Sequence, residues 1–356
     1  KALNTCLDYS ATLSLSQQAK EELIWWWDNL EAWNGKALVS GEPDLIIETD
    51  ASRKGWGASC MGQTAGGRWS LQEQYLHINC LELLAGAFTL KAFTKDKAQM
   101  RVRLLMDNTT AAHYINKMGG TRSLILASLA KNLWEWCLER QIVLEAQHIP
   151  GVLNIEADRE SRIFTDNNDW RLAPQVFDNL NHAWGPLEVD LFATRLSKQL
   201  PRFVSWRPDP EAESLNAWAQ DWSKYRGYAF PPFSLVGRCL KQVLTQSVPT
   251  LVLIAPVWRT QSWYPLLLEL TIAPPRLLPH VSGLLTRQQE VHPLSNLQLA
   301  GWLVSASHTR QQAFRDQLKT CSSQHGERVL QTLIPQLGAN GPPGVVRGKL
   351  IQFVQI

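Results

Sequence analysis

Ile46-Ile47-Glu48-Thr49-Asp50-Ala51-Ser52 is an apolar run that ends on a carboxylate and two small residues. Three further stretches repeat the device: Cys80-Leu81-Glu82-Leu83-Leu84-Ala85, Leu104-Leu105-Met106-Asp107-Asn108 and Asn154-Ile155-Glu156-Ala157-Asp158. In each, one carboxylate is embedded among apolar or small residues, and Asp and Glu are rarely buried unless something pairs with them. Four such carboxylates, if they converge, need a cation. Leu45-Ile46-Ile47 and Val102-Arg103-Leu104-Leu105-Met106 read as strands running into their aspartates, which puts Asp50 and Asp107 at strand carboxyl ends. In an α/β sheet that edge is where ligands bind. Glu82 falls in a helical pattern whose apolar face is Ile78, Leu81, Ala85 and Phe88, so its carboxylate is expected to reach toward the sheet. Asp158 belongs to a helix that follows the turn Ile149-Pro150-Gly151. Taken singly, each carboxylate reads equally as a helix cap or a surface charge.

The ordered set says more than its members. With Gly55-Trp56-Gly57-Ala58 after the first strand and His148-Ile149-Pro150-Gly151-Val152-Leu153-Asn154 before the last helix, it resembles the ribonuclease H domain of retrotransposon reverse transcriptases, most closely that of DIRS-like elements, over residues 44–163. The resemblance implies an α/β fold: a ribonuclease H-like mixed five-stranded sheet with flanking helices. It also implies two Mg2+ ions, replaceable by Mn2+, and hydrolysis of the RNA strand of an RNA–DNA hybrid to a 3′-hydroxyl and a 5′-phosphate. Carried over residue by residue, Asp50 would bridge both ions, Glu82 and Asp107 would complete one site, and Asp158 the other. Such ions need hard oxygen ligands and sit about 4 Å apart across the scissile phosphate. His148 stands where the family has a histidine that shuttles a proton or helps release product, and a histidine at a strand end is as often structural. Glu48 shares the face of Asp50, but the family has no ligand there; Glu156 and Glu160 read as solvated. Asn108, Asn154 and Arg159 are expected beside the carboxylates or the hybrid backbone. A basic helical protrusion found in stand-alone family members is missing, since only Lys117-Met118-Gly119-Gly120-Thr121-Arg122 joins two helices. Grip on the hybrid is therefore expected to depend on an adjoining polymerase.

Bulk properties set the frame. A chain of 356 residues calls for two or three compact units. Its net charge of +3 permits nucleic-acid binding without announcing it. The six cysteines, Cys6, Cys60, Cys80, Cys137, Cys239 and Cys321, form no C-x-x-C pair, against structural zinc or a disulfide framework. No apolar run approaches the roughly 18–20 residues of a membrane span. The expected setting is intracellular, cytoplasmic or nuclear, with no membrane partner. The chain starts on Lys1, and it is expected to be a segment of a longer polyprotein.

The rest divides by composition. Residues 1–43 centre on a helix expected from Ser16, its N-cap, through Trp25-Trp26-Trp27, and by resemblance connect to an upstream reverse transcriptase domain; the tryptophans either pack or stack on bases. Trp56–Met61 and Gly67–Leu71 are expected to form a hairpin joined across Gly62 to Gly66. The ribonuclease H unit is drawn at 44–165, ending at the polar cluster Thr165-Asp166-Asn167-Asn168-Asp169. Residues 166–280 turn rich in Trp and Pro. Val189-Asp190-Leu191-Phe192, Tyr228-Ala229-Phe230-Pro231-Pro232-Phe233 and Leu251–Pro256 resemble the Dam-type adenine methyltransferase-like domain that follows ribonuclease H in DIRS-like elements, a second α/β unit. That family needs an Asp, Asn or Ser before Pro-Pro-aromatic, to accept from the adenine amino group. Phe230 cannot, and no glycine-rich loop for S-adenosylmethionine follows Phe192, so this unit is expected to be inactive. Residues 281–356, polar and Gly/Pro-rich in places, read as a linker or tail of loops around short helices. The expected function is a retroelement ribonuclease H; the alternatives are an inert nucleic-acid-binding scaffold and an adenine methyltransferase.

Overall fold

The computed structural model describes residues 14–33, 41–164, 169–295, 297–319 and 344–356. Thr165–Asn168, most of the expected boundary cluster, and both glycine-rich stretches of the tail up to Pro343 lie outside the described residues. So do Cys6 and Cys321; the other four cysteines are free and buried.

Helix α1 (Gln17–Trp33) starts as its sequence asks, with Ser16 Oγ accepting from the Ala19 amide at 3.3 Å. Leu23, Ile24 and all three tryptophans are exposed, and Trp25 and Trp26 meet edge to face at 5.2 Å.

The first unit is built on β1 (Leu45–Ala51), β2 (Gly55–Cys60), β3 (Gln63–Arg68), α2 (Ile78–Thr94), β4 (Arg101–Met106), α3 (Thr109–Asn116), α4 (Leu124–Glu139), β5 (Val143–His148) and α5 (Ile155–Arg162). The sheet order is β3-β2-β1-β4-β5. β2 runs antiparallel to β1 and β3, while β1, β4 and β5 are parallel. This is the mixed five-stranded, ribonuclease H-like sheet with flanking helices. The hairpin turn is tighter than expected. Met61 and Gly62, both at positive φ (49° and 80°), make a two-residue turn whose twist suits paired strands, and Gly66 and Gly67 lie within β3.

Alternation along β1 sorts its side chains to two sides. Thr49 meets Thr89 of α2 hydroxyl to hydroxyl at 3.1 Å, while Asp50 turns to the face on which α5 lies. Helix α2 is covered nearly all round, from Cys80 to Thr94, because sheet and helices enclose it. On the other face α5 comes down until its backbone touches β2. A Cβ on Gly57 would stand 2.1 Å from Ala157 O and 2.3 Å from Ser161 N, so only glycine fits there.

The second unit contains β6 (Arg171–Leu172), α6 (Pro174–Trp184), β7 (Val189–Asp190), β8 (Arg202–Ser205), β9 (Ser214–Leu215), β10 (Gly227–Ala229), α7 (Val236–Thr245), β11 (Leu251–Pro256), α8 (Tyr264–Leu270) and β12 (Arg276–Leu277). It continues through β13 (Leu285–Arg287), β14 (Glu290–Val291), β15 (Leu299–Val304), α9 (His308–Asp316), β16 (Gly344–Val346), β17 (Lys349–Ile351) and β18 (Val354–Gln355). Its main sheet has the order β18-β12-β15-β11-β10-β7-β8-β9. The five strands β7 to β11 are parallel, in the doubly wound pattern that reverses direction between β7 and β10. The reading of 281–356 as a linker or tail is corrected here. β15 lies antiparallel to β11 over six residue pairs and is buried almost throughout, and β18 extends the same sheet beside β12. A continuous apolar run such as Leu299–Val304 does not tell strand from helix by periodicity, and the polar stretches around it dominated the composition.

The two units keep separate cores but are joined by charge. Arg195, from the second, gives Glu73 of the first two hydrogen bonds (3.0 and 2.7 Å), donates to Arg68 O at 2.8 Å and lies 4.6 Å over the Phe88 ring. With Arg195 7% exposed, this paired fork is a shielded contact of the stronger kind.

Candidate active site

Two strand ends and one helix deliver the carboxylates. Asp50 is the penultimate residue of β1, its parallel neighbour β4 runs directly into Asp107, and the second turn of α2 brings Glu82 across. One oxygen from each lies within 4.8 Å of the other two, so these residues could together hold a metal ion. Asp50 and Glu82 are buried, at 3% and 5% exposure, and Asp107 is the member open to solvent.

Such an arrangement is costly without a cation. Burial, more than any other influence, raises the Glu82 carboxyl to about 9, with further pushes from Asp50 and Asp107. The Ala51 amide and Arg162 oppose this only in part. Glu82 Oε2 is buried with no hydrogen-bond partner among the described residues. The Asp50 carboxyl is also raised, first by burial and then by Asp107 and Asp158, against a 2.6 Å hydrogen bond from Ser161 Oγ. An orphaned carboxylate oxygen beside two more carboxylates is a donor set that fits a hard divalent cation.

The surroundings explain how the site keeps its shape. Asn154 donates to Thr49 O at 2.9 Å and Ser52 Oγ donates to Ser161 O at 2.6 Å, pinning both ends of α5 to the β1 strand. Asn108 caps α3 through Ala111 N at 2.9 Å and donates to Asn79 at 3.1 Å, tying α3 to the start of α2. Gly151 lies against Asp107: a Cβ there would stand 2.9 Å from Asp107 Oδ2.

The fourth expected ligand is not with the other three. Asp158 holds Arg162 one turn along α5, Nε to Oδ1 at 2.7 Å, and is partly exposed. It lies near enough to raise Asp50. His148 ends β5, exposed, beside Met106 in register. It is at the rim of the site and outside the carboxylate cluster. Arg159 pairs with Glu156 at 2.6 Å on the outer face of α5. Glu160, expected to be solvated, is instead 12% exposed and bound to Arg207 of the second unit. Ser161 and Gly57 were not singled out as site residues. Both signals were available: Ser161 follows Asp158 by three residues on the same helix face, and a Gly-Trp-Gly strand asks what approaches its glycines.

At the corresponding edge of the second sheet, Asp190 ends β7 and Phe230-Pro231-Pro232 follows β10, on either side of the point where strand order reverses. Asp190 is fully buried and accepts from the amides of Phe192 (3.3 Å) and Gln199 (3.0 Å). A turn, and no helix, connects β7 to β8. Phe230 tilts against Phe233 at 6.3 Å.

No protein-family model matches the sequence, and no curated protein matches it. Among solved structures the chain is similar to ribonuclease H1 of the halophilic archaeon Halobacterium salinarum, at 18% identity and TM-score 0.27, over 33% of this chain and 92% of that one. It is similar also to LC11 ribonuclease H1 in complex with an RNA/DNA hybrid, at 19% identity and TM-score 0.28, over 33% and 93%. The prototype foamy virus protease–reverse transcriptase aligns at 11% identity and TM-score 0.24, over 45% of this chain and 22% of that one. The strand order and register described above carry the fold assignment by themselves.

Proposed function

We propose that residues 44–164 form a divalent-metal-dependent ribonuclease that hydrolyses the RNA strand of an RNA–DNA hybrid. The observation that carries this reading is the convergence of Asp50, Glu82 and Asp107 within 4.8 Å, with Glu82 Oε2 buried and unpartnered. Mg2+, or Mn2+ in its place, bound there would lower the pKa of a water and offset the charge that builds on the scissile phosphate. The chain's own part is to hold the ligands ready. Ser161 fixes the orientation of Asp50 through its 2.6 Å hydrogen bond, and the Asn154 and Ser52 ties keep α5 from drifting off β1. Asp107, at the open side, would meet the substrate phosphate. Asp158 would join a second ion's site once its carboxylate leaves Arg162. His148, exposed at the rim, would pass a proton to solvent and would not bind metal.

The second unit serves in this reading as a buttress without methyl-transfer activity. Phe230 offers no acceptor, Asp190 spends its acceptors on its own loop, and Arg195 and Arg207 brace Glu73 and Glu160 of the ribonuclease unit. The setting proposed is a retroelement polyprotein with a reverse transcriptase domain upstream.

The test is cleavage of a labelled RNA–DNA hybrid with Mg2+, beside Asp50→Asn, Asp107→Asn and a duplex DNA control. Cutting of the RNA strand by the parent alone supports the proposal. No cutting with either Mg2+ or Mn2+, with an upstream polymerase region restored, would leave a nucleic-acid-binding scaffold as the better account.

A further inference from the structure

Where the two units meet, a cavity of about 410 Å³ opens, within the size range of small-ligand pockets, about 300–1,000 Å³. None of the five catalytic candidates, the four carboxylates and His148, lines it. Its charged lining is five arginines, Arg68, Arg171, Arg195, Arg207 and Arg287, against two aspartates, Asp169 and Asp209. The aspartates are engaged: Asp209 accepts the amides of Arg195 and Glu211, and Asp169 accepts from Thr194 Oγ1 at 2.7 Å. Three arginines are matched by glutamates, Arg195 by Glu73, Arg207 by Glu160 and Arg287 by Glu290.

Arg68 and Arg171 remain. Among the described residues neither donates to a carboxylate. The Arg68 guanidinium lies 4.7 Å over the Phe164 ring, within the field of a Glu290 that Arg287 already binds. Arg171 has its Nε buried with no acceptor among the described residues. It lies within the field of Asp190, whose oxygens hold two loop amides. A planar donor fork with nothing among the described residues to receive it matches a phosphate. On the same wall Trp206 is 58% exposed, with the Arg207 guanidinium 5.3 Å from its ring, and an exposed indole is a stacking platform for a base.

We propose that this cavity binds a nucleotide, its phosphate held by Arg68 and Arg171 and its base stacked on Trp206. The nucleotide is free or is the 5′-phosphorylated end of a strand; the chemistry recognised is the same. The site is separate from the carboxylate cluster and does not depend on its activity.

The experiment is binding of a short 3′-labelled single strand, with and without a 5′-phosphate, to the whole chain in metal-free buffer, followed by competition with a nucleoside monophosphate and with inorganic phosphate. Loss of the phosphate should weaken binding about ten-fold, the scale of one or two charged hydrogen bonds. Arg68→Gln and Arg171→Gln should each abolish that preference, whereas Arg310→Gln, an exposed arginine elsewhere, should keep it. Trp206→Ala should weaken strand and mononucleotide alike, by about ten-fold. Competition by the monophosphate at the strand's own affinity identifies a free nucleotide as the ligand, and much weaker competition identifies the strand end. Asp50→Asn, which removes cleavage in the reading above, should bind like the parent, so failure of one site is distinguishable from failure of the other. Equal binding with and without the phosphate would overturn the proposal. So would an unchanged preference in both arginine variants, or inorganic phosphate competing as well as the nucleotide.

Discussion

Asp50 and Asp190 hold the same position in two different sheets: each is a buried aspartate at the carboxyl end of a central parallel strand. Asp190 is answered from within, by the amides of Phe192 and Gln199, and so it fixes the loop that follows its strand. Asp50 receives one hydroxyl, from Ser161, and faces two more carboxylates. A buried carboxylate surrounded by its own loop's donors is a structural part. One surrounded by other carboxylates is a binding site for something absent from the polypeptide.

The comparison can be broken in several ways. The largest effect expected is on activity: Asp50→Asn should lower hybrid cleavage by about a thousand-fold or more, the scale of losing a principal catalytic group, with circular dichroism unchanged. Gly57→Ala should follow. The added methyl would meet the α5 backbone, and the cost, about 3 kcal/mol or more in urea unfolding, would come with loss of cleavage because Ser161 moves with the helix. Asp190→Ala leaves two loop amides without acceptors, for a loss of about 2–3 kcal/mol and no selective effect on cleavage. If Asp190→Ala left stability untouched, its loop would not be the reason for its burial.

The sign reverses for Glu82. Its folded pKa, about 9, lies above its ordinary value of 4.5, so the folded chain binds the extra proton. Metal-free stability is therefore highest below pH 4.5 as far as this group is concerned, and declines as pH rises from 4.5 toward 9. Asp190, raised from 3.8 to about 7, acts in the same direction over a lower window. Glu82→Gln should then stabilise the metal-free chain at pH 8 by about 1–2 kcal/mol, read as a Tm several degrees higher, while abolishing cleavage. A lower Tm for that variant at pH 8 would mean that Glu82 is satisfied by the protein after all. The smallest effect belongs to Arg162→Ala, which frees Asp158 from its ion pair. That pair is largely exposed, so stability should change by less than about 0.5 kcal/mol, and the variant reads mainly as a shift in the Mg2+ concentration needed for cleavage.

The first sheet was legible because its strands alternate or run apolar into an Asp, and because Pro150-Gly151 marks the turn before the last helix. The carboxylates could be ranked from sequence, but their distances could not. Asp158 sits on the expected helix and still turns to Arg162, since an i, i+4 pair on a short helix is a local alternative that spacing along the chain does not exclude. Glu160 was misjudged for the opposite reason: its partner Arg207 is 47 residues away in another unit. The second sheet was harder still. β7, β9 and β12 are two residues long, too short for any period to register, and β15 is apolar on both faces.

The central claim is that the edge of the first sheet is built around a cation, and the direct measurement is calorimetric titration of the nucleic-acid-free chain with Mg2+ and with Mn2+ at pH 6 and pH 8. The account predicts binding that tightens with pH, because metal displaces the proton that Glu82 otherwise keeps, and that Asp50→Asn eliminates. Binding of equal strength in Asp50→Asn, or none to the parent with either ion, would contradict it.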